Sequence, residues 1–239
     1  MTAPFVLSID WDYFVGDSSI QPCKVCRWSC LLNTHRDASI RDRQRHELAP
    51  DPRVVFDVFR SAVMEQFRWD HWKRVPLVVA DCHASIYRLL PRHSVIYNID
   101  HHPDADASTW GFNPSDFLAL TCGSWGDLAV FKKDCSYQWC SSFGLAKDPV
   151  SKTGSRCLPR NATPVLASCK QRYIQPDFIF FCLSSPYTNP KYDDYFYKAI
   201  YDILRESSST DLRFVGLGSR ELRRAYHRWE KTAQTRNRT

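Results

Sequence analysis

Six side chains able to hold divalent cations stand in three short segments of this 239-residue chain. Asp10 and Asp12 lie in Ser8-Ile9-Asp10-Trp11-Asp12, and His83 lies in Ala80-Asp81-Cys82-His83. Asp100, His102 and Asp104 lie in Ile99-Asp100-His101-His102-Pro103-Asp104. Carboxylates with a few imidazoles suit manganese or a similar divalent ion, whereas thiolate sets suit zinc. Four carboxylates in one pocket repel one another unless cations hold them. Alternate positions on extended backbone face the same way. Asp100-x-His102-x-Asp104 therefore presents three donors together, and Asp10-x-Asp12 presents two. With two carboxylates bridging, a pair of ions about 4 Å apart can activate one water for hydrolysis.

The elements that must position these donors are legible upstream of each. Phe5-Val6-Leu7, Pro76-Leu77-Val78-Val79 and Val95-Ile96-Tyr97 are apolar, β-branched runs. Such runs read as buried parallel strands, and open α/β sheets bind ligands beyond the carboxyl ends of their strands. The pattern predicts strands at 4–10, 76–81, 94–100, 177–183 and 212–217. It predicts helices at 51–69, 84–90, 115–132, 190–206 and 219–232. Asp51-Pro52 is a cap and first-turn pair for the helix carrying Val55, Phe59, Val63 and Phe67. Strands alternating with helices imply an α/β fold, a three-layer α/β/α arrangement on a mostly parallel central sheet. One domain spanning 1–239 is expected, with long irregular loops at about 16–48 and 134–173 that shape access to the site.

Composition narrows the class. A hydrophobic share of 44% argues for a folded globular chain. No run approaches the roughly 18 apolar residues of a membrane span, and no basic-then-apolar leader opens the sequence, so a cytoplasmic protein is expected. The net charge of +6 is local: residues 219–239 carry +5, leaving the rest at +1. That weighs against a nucleic-acid binder. The basic segment reads as a helix with Leu222, Ala225, Tyr226 and Trp229 at helical spacing. Its charge is either a solvated face or a dock for an acidic partner. Among ten cysteines, Cys23, Cys26 and Cys30 cluster, with His35 following. They read as a structural zinc site, as free thiols or as a disulfide. Most of the others sit singly, as Cys82, Cys122 and Cys182 do, and read as small buried hydrophobes. The sequence carries no signal for an oligomeric state.

Asp100-x-His102-x-Asp104 resembles the D-x-H-x-D signature of the arginase/deacetylase (ureohydrolase) superfamily. Ser8-Ile9-Asp10-Trp11-Asp12 resembles its S-x-D-x-D metal motif, and Ala80-Asp81-Cys82-His83-Ala84-Ser85 looks like a variant of its G-G-D-H-S motif. The nearest resemblance is to the peptide arginases, which convert arginine residues of ribosomally made peptides to ornithine. It implies an arginase-like fold and two manganese ions. One would be held by His83, Asp100, Asp104 and Asp10, the other by Asp100, His102, Asp10 and Asp12, with Asp10 and Asp100 bridging. It further implies attack of a metal-activated water on a guanidinium carbon, with release of urea. The partner would be an arginine-containing precursor peptide of a natural-product pathway, with neither nucleic acid nor membrane involved. Two departures stand out. The S-x-D-x-D segment comes first here but last in ordinary arginases, which implies a differently wired sheet. Cys82 occupies the position of the family's aspartate.

Other roles follow by placement. His101, beside the ligands, is a candidate proton shuttle or a structural histidine. Asp193 and Asp194 could face a cationic substrate or serve as acids at a helix N-terminus. Ser185, Tyr187 and Trp125 are candidate substrate contacts at the pocket rim, with a core role the alternative for Trp125. Three other functions compete. One is a deacetylase-like amidohydrolase of the same superfamily, whose paired histidines His101-His102 resemble. Another is a haloacid-dehalogenase-type phosphatase with Asp10 as nucleophile and Asp12 as acid/base. The third is a non-catalytic, metal-stabilised peptide-binding scaffold.

Overall fold

The structure is a computed structural model that describes residues 3–15, 51–65, 67, 69, 72, 74–100, 104, 120, 123–140, 163–164, 175–184, 188, 190–216 and 218–236. Seven strands are described: β1 (Phe5–Asp10), β2 (Leu77–Ala80), β3 (Val95–Ile99), β4 (Ser136–Cys140), β5 (Thr163–Pro164), β6 (Phe178–Cys182) and β7 (Leu212–Val215). They form one sheet in the order β5-β4-β3-β1-β6-β2-β7, with every neighbouring pair parallel. The helices are α1 (Asp12–Val15), α2 (Pro52–Phe59), α3 (Trp125–Lys133), α4 (Asp193–Glu206) and α5 (Ser219–Arg236). A π-helical turn, Arg60–Met64, extends α2, and a 3₁₀ turn, His83–Arg88, follows β2.

The central strands are buried on both sides, so alternate residues of each enter two separate cores. Phe5, Leu7 and Ile9 of β1 face one side with Leu77, Val79, Tyr97, Ile179 and Phe181. Helices α1, α2, α4 and α5 cover that side through Phe14, Val55, Phe59, Phe196, Ile200 and Tyr226. Val6 of β1 faces the other side with Val78, Ile96 and Phe180, covered by Ile86 of the 3₁₀ turn and by Trp125 and Ala129 of α3. The result is the three-layer α/β/α arrangement expected from the alternation of runs. Among the described residues, no helix is long and apolar enough to cross a membrane.

All five expected strands are present, and so is each expected helical segment, with shifted ends. Asp51 caps α2 by accepting the Arg53 amide at 2.8 Å, and Pro52 occupies its first turn. Leu222 and Tyr226 are buried in α5, with Ala225 and Trp229 packed at the edge of the same core. Three local expectations are corrected. Strands β4 and β5 lie inside 134–173, which was expected to be irregular. Ser136-Tyr137-Gln138-Trp139 alternates polar and aromatic residues and buries only the aromatics, so it is a strand without an apolar run. The helix expected at 115–132 begins at Trp125, because Gly123 and Ser124 form a turn and Leu120 is not helical; residues 115–119 are outside the described set. The helix expected at 84–90 is 3₁₀, not α. The loop at 16–48 also lies outside the described residues.

Candidate metal centre

The sheet brings the ligand-bearing segments to one end. Strands β1 and β3 are neighbours in a register that pairs Ile9 with Ile99, so Asp10 and Asp100 leave adjacent strand ends. Strand β6 flanks β1 on its other side, opposing Cys182 to Asp10, and β2 lies beyond it. The chain leaving β2 turns into the 3₁₀ helix at His83, which places the imidazole back over the sheet. That turn packs tightly on β7: a Cβ on Gly216, which has φ +78°, would collide with Ser85. Asp104 has a left-handed backbone (φ +48°), and its carbonyl accepts the Gly126 amide at 2.8 Å. The N-terminus of α3 thus fixes the fourth side chain.

Asp10, His83, Asp100 and Asp104 form one cluster whose ligand atoms all lie within 4.8 Å of one another. All four residues are buried. His83 Nδ1 is 3.0 Å from Oδ2 of Asp10, of Asp100 and of Asp104. Despite that proximity, Nδ1 makes no hydrogen bond. On its other edge, Nε2 lies 2.7 Å from Ser8 Oγ. In the tautomer protonated at Nε2, Nδ1 would offer a bound cation its lone pair beside the three carboxylate oxygens. Three carboxylates gathered with an imidazole within 4.8 Å in a buried site are unfavourable without a cation. The spacing fits one: donors at right angles about an ion roughly 2.1 Å from each are separated by roughly 3.0 Å. The residues present therefore fit a metal ion.

The cluster also sets the local electrostatics. Burial, then the charge of Asp100, raises the Asp10 carboxyl above its ordinary range. Burial acts to lower the His83 pKa, but the carboxylates of Asp10, Asp100 and Asp104 outweigh it and hold the imidazole well above its usual value. Tyr137 is pushed well up by burial and then by Asp104 and Asp100. Cys182 is pushed well up by burial and then by Asp10, which disfavours its thiolate. These shifts describe a concentrated negative potential that a cation would relieve.

Of the six sequence-predicted ligands, four converge. Asp12 is buried at the start of α1, where its amide donates to Asp10 Oδ1 at 3.3 Å, and it is not among the four. His102, together with His101, Ser185, Tyr187, Cys23, Cys26 and Cys30, lies outside the described residues. Asp193 and Asp194 occupy the first turn of α4. Trp125 is fully buried, with its ring centroid 4.7 Å from that of His83 and its indole N–H donating to Asp104 Oδ2 at 2.8 Å. Asp81, one residue early in its motif, is buried outside the cluster.

Sequence reasoning missed the groups behind the ligands. Asn98 Nδ2 donates to Asp100 Oδ2 at 3.0 Å and to Tyr137 Oη at 2.7 Å. Ser184, left-handed at φ +48°, donates to Asp10 Oδ2 at 2.6 Å. The Trp139 indole donates to the Asp100 carbonyl at 2.9 Å. A signal was present: Ser8 and Asn98 are polar residues within apolar runs, each two positions before a ligand and hence on its face. Comparison with protein-family models, with curated proteins and with solved structures finds no match.

Proposed function

We propose that the protein is a manganese-dependent hydrolase of guanidino groups, acting on arginine within a ribosomally made peptide to give ornithine and urea. The observation that carries this reading is the convergence of three carboxylate oxygens on His83 Nδ1, each at 3.0 Å, beyond the carboxyl ends of a parallel sheet. The choice of guanidine chemistry rests on the resemblance of Asp100-x-His102-x-Asp104 and Ser8-x-Asp10-x-Asp12 to ureohydrolase motifs. Asp10, His83, Asp100 and Asp104 would hold one ion. Asp12 and His102, with Asp10 and Asp100 shared, would hold the second. Divalent ions bound there supply Lewis-acid polarisation and an acidified water.

The chain's own residues account for the rest of the support. Four carboxylates match the charge of two divalent ions, so the assembled centre adds no positive charge to repel a guanidinium. Ser8 holds the imidazole through Nε2, and Ser184, Asn98 and Trp125 donate to the carboxylates. Trp125 and Phe180, on which the His83 ring is stacked at 5.7 Å, exclude water from the buried side. The phosphatase alternative needs Asp10 free to attack, whereas its Oδ2 is engaged by Ser184 and faces His83. That alternative also leaves Asp100 and Asp104 without a task. A deacetylase-like amidohydrolase would use the same ligands and differ only in the group attacked.

The discriminating experiment incubates manganese-loaded protein with free arginine, arginine-containing peptides, acetyl-lysine peptides and a phosphate ester. Urea release with a loss of about 42 Da per arginine supports the proposal, as one CN2H2 unit leaves by hydrolysis. Acetate or phosphate release instead, with arginine untouched, overturns it.

A further inference from the structure

Each of the four clustered ligands receives a partner that carries no charge. Ser8 Oγ meets His83 Nε2 at 2.7 Å, and Ser184 Oγ donates to Asp10 Oδ2 at 2.6 Å. Asn98 Nδ2 donates to Asp100 Oδ2 at 3.0 Å, and Trp125 Nε1 donates to Asp104 Oδ2 at 2.8 Å. In each carboxylate the oxygen that takes this bond is the one facing His83 Nδ1. The four partners are themselves buried. They arise from different places: β1, β3, the left-handed residue just past β6, and the first residue of α3. Trp125 touches two ligands, since it bonds Asp104 and packs its ring on His83. Asp104 depends on it most, because its left-handed backbone lies beyond the sheet and is anchored through α3.

We propose that Ser8, Asn98, Ser184 and above all Trp125 are positioning residues that hold the four ligand atoms on one point and so set the metal affinity of the site. Neutral donors suit this task. A cationic partner would neutralise a carboxylate and compete with the ion, whereas an N–H or O–H dipole fixes the oxygen and leaves its charge to the metal. The inference rests on the metal-site half of the proposed function and is independent of the substrate. It also moves Trp125 from the substrate rim to the support of the ligands.

The test is a calorimetric titration of the full chain with manganese chloride, for wild type, Trp125→Phe, Ser184→Ala and Asp100→Asn. Metal-free melting temperatures are recorded alongside. Loss of such partners typically weakens metal binding about 10–100-fold. Trp125→Phe keeps a ring against His83 and removes the N–H; its dissociation constant should rise within that range, and that of Ser184→Ala by about tenfold. Ser184→Ala removes one hydroxyl and keeps the inference testable should Trp125→Phe not fold. Unchanged affinity in either folded variant, with only a lower melting temperature, would make these residues structural and overturn the inference while leaving the metal site intact. No manganese binding by wild type overturns both this inference and the metal-site reading. Binding by wild type that Asp100→Asn abolishes, with unchanged affinity in the outer variants, sinks the inference alone.

Discussion

The two faces of the central sheet are built by the same strands and end differently. On one face, Phe5, Leu7 and Ile9 of β1 lead to Trp11, which packs against Phe14, Phe59, Phe181 and Phe196 at 5.5–5.9 Å. That face stays apolar to the end of the strand. On the other, Val6 gives way to Ser8 and then Asp10, while Ile96 gives way to Asn98 and Asp100. The second face therefore runs from apolar to polar to charged along β1 and β3. An aromatic layer anchors the sheet so that its opposite face can carry groups that destabilise a fold by themselves. Buried like charges are unfavourable for folding, and the aromatic face offsets them.

The sharpest way to break this contrast is to remove one charge from the polar face. Asp100→Asn should weaken manganese binding by more than the roughly 10–100-fold typical of an outer partner, and urea release should fall at least in proportion. Its metal-free melting temperature should hold or rise, because a repelling carboxylate is gone; a pronounced fall on thermal denaturation would contradict that. Phe181→Ala strikes the apolar face instead. It should cost about 3–5 kcal/mol in denaturant unfolding, yet leave the manganese affinity of the folded protein unchanged. A parallel loss of affinity would show that the faces are not separable. Chelation should lower the stability of wild type by about 2.7 kcal/mol relative to protein at a hundredfold excess of metal over its dissociation constant. Asp100→Asn should show no such response in the same scan. The smallest effect is expected at Arg224 and Arg228, which are exposed on α5. Alanine there should change stability by no more than about 0.5 kcal/mol, and a larger shift would give that basic face a structural role.

The apolar face and the ligands were both legible in the sequence, for different reasons. Continuous β-branched runs marked β1, β2 and β3, and the charged residues that closed them stood out by contrast. His83 was found despite Cys82, because its segment directly follows the apolar run of β2 and resembles a metal motif. What escaped was long-range and neutral. Trp125 reads as core from its type, and only the approach of α3 to Asp104 reveals its indole as a donor. Ser184 acquires its role from a left-handed backbone that no local residue pattern announces. Strand β4 was hidden because Ser136 and Gln138 break any apolar run, although Tyr137 and Trp139 alternate as a one-sided strand requires.

The proposed metal site requires Asp10, His83, Asp100 and Asp104 to bind a divalent ion between them. Anomalous diffraction at the manganese edge, from crystals grown with manganese chloride, tests it most directly. The prediction is a strong peak among Oδ2 of the three aspartates and Nδ1 of His83, at about 2.1–2.2 Å from each. A map with no peak there, and with His83 hydrogen-bonded to the carboxylates in its place, would contradict it.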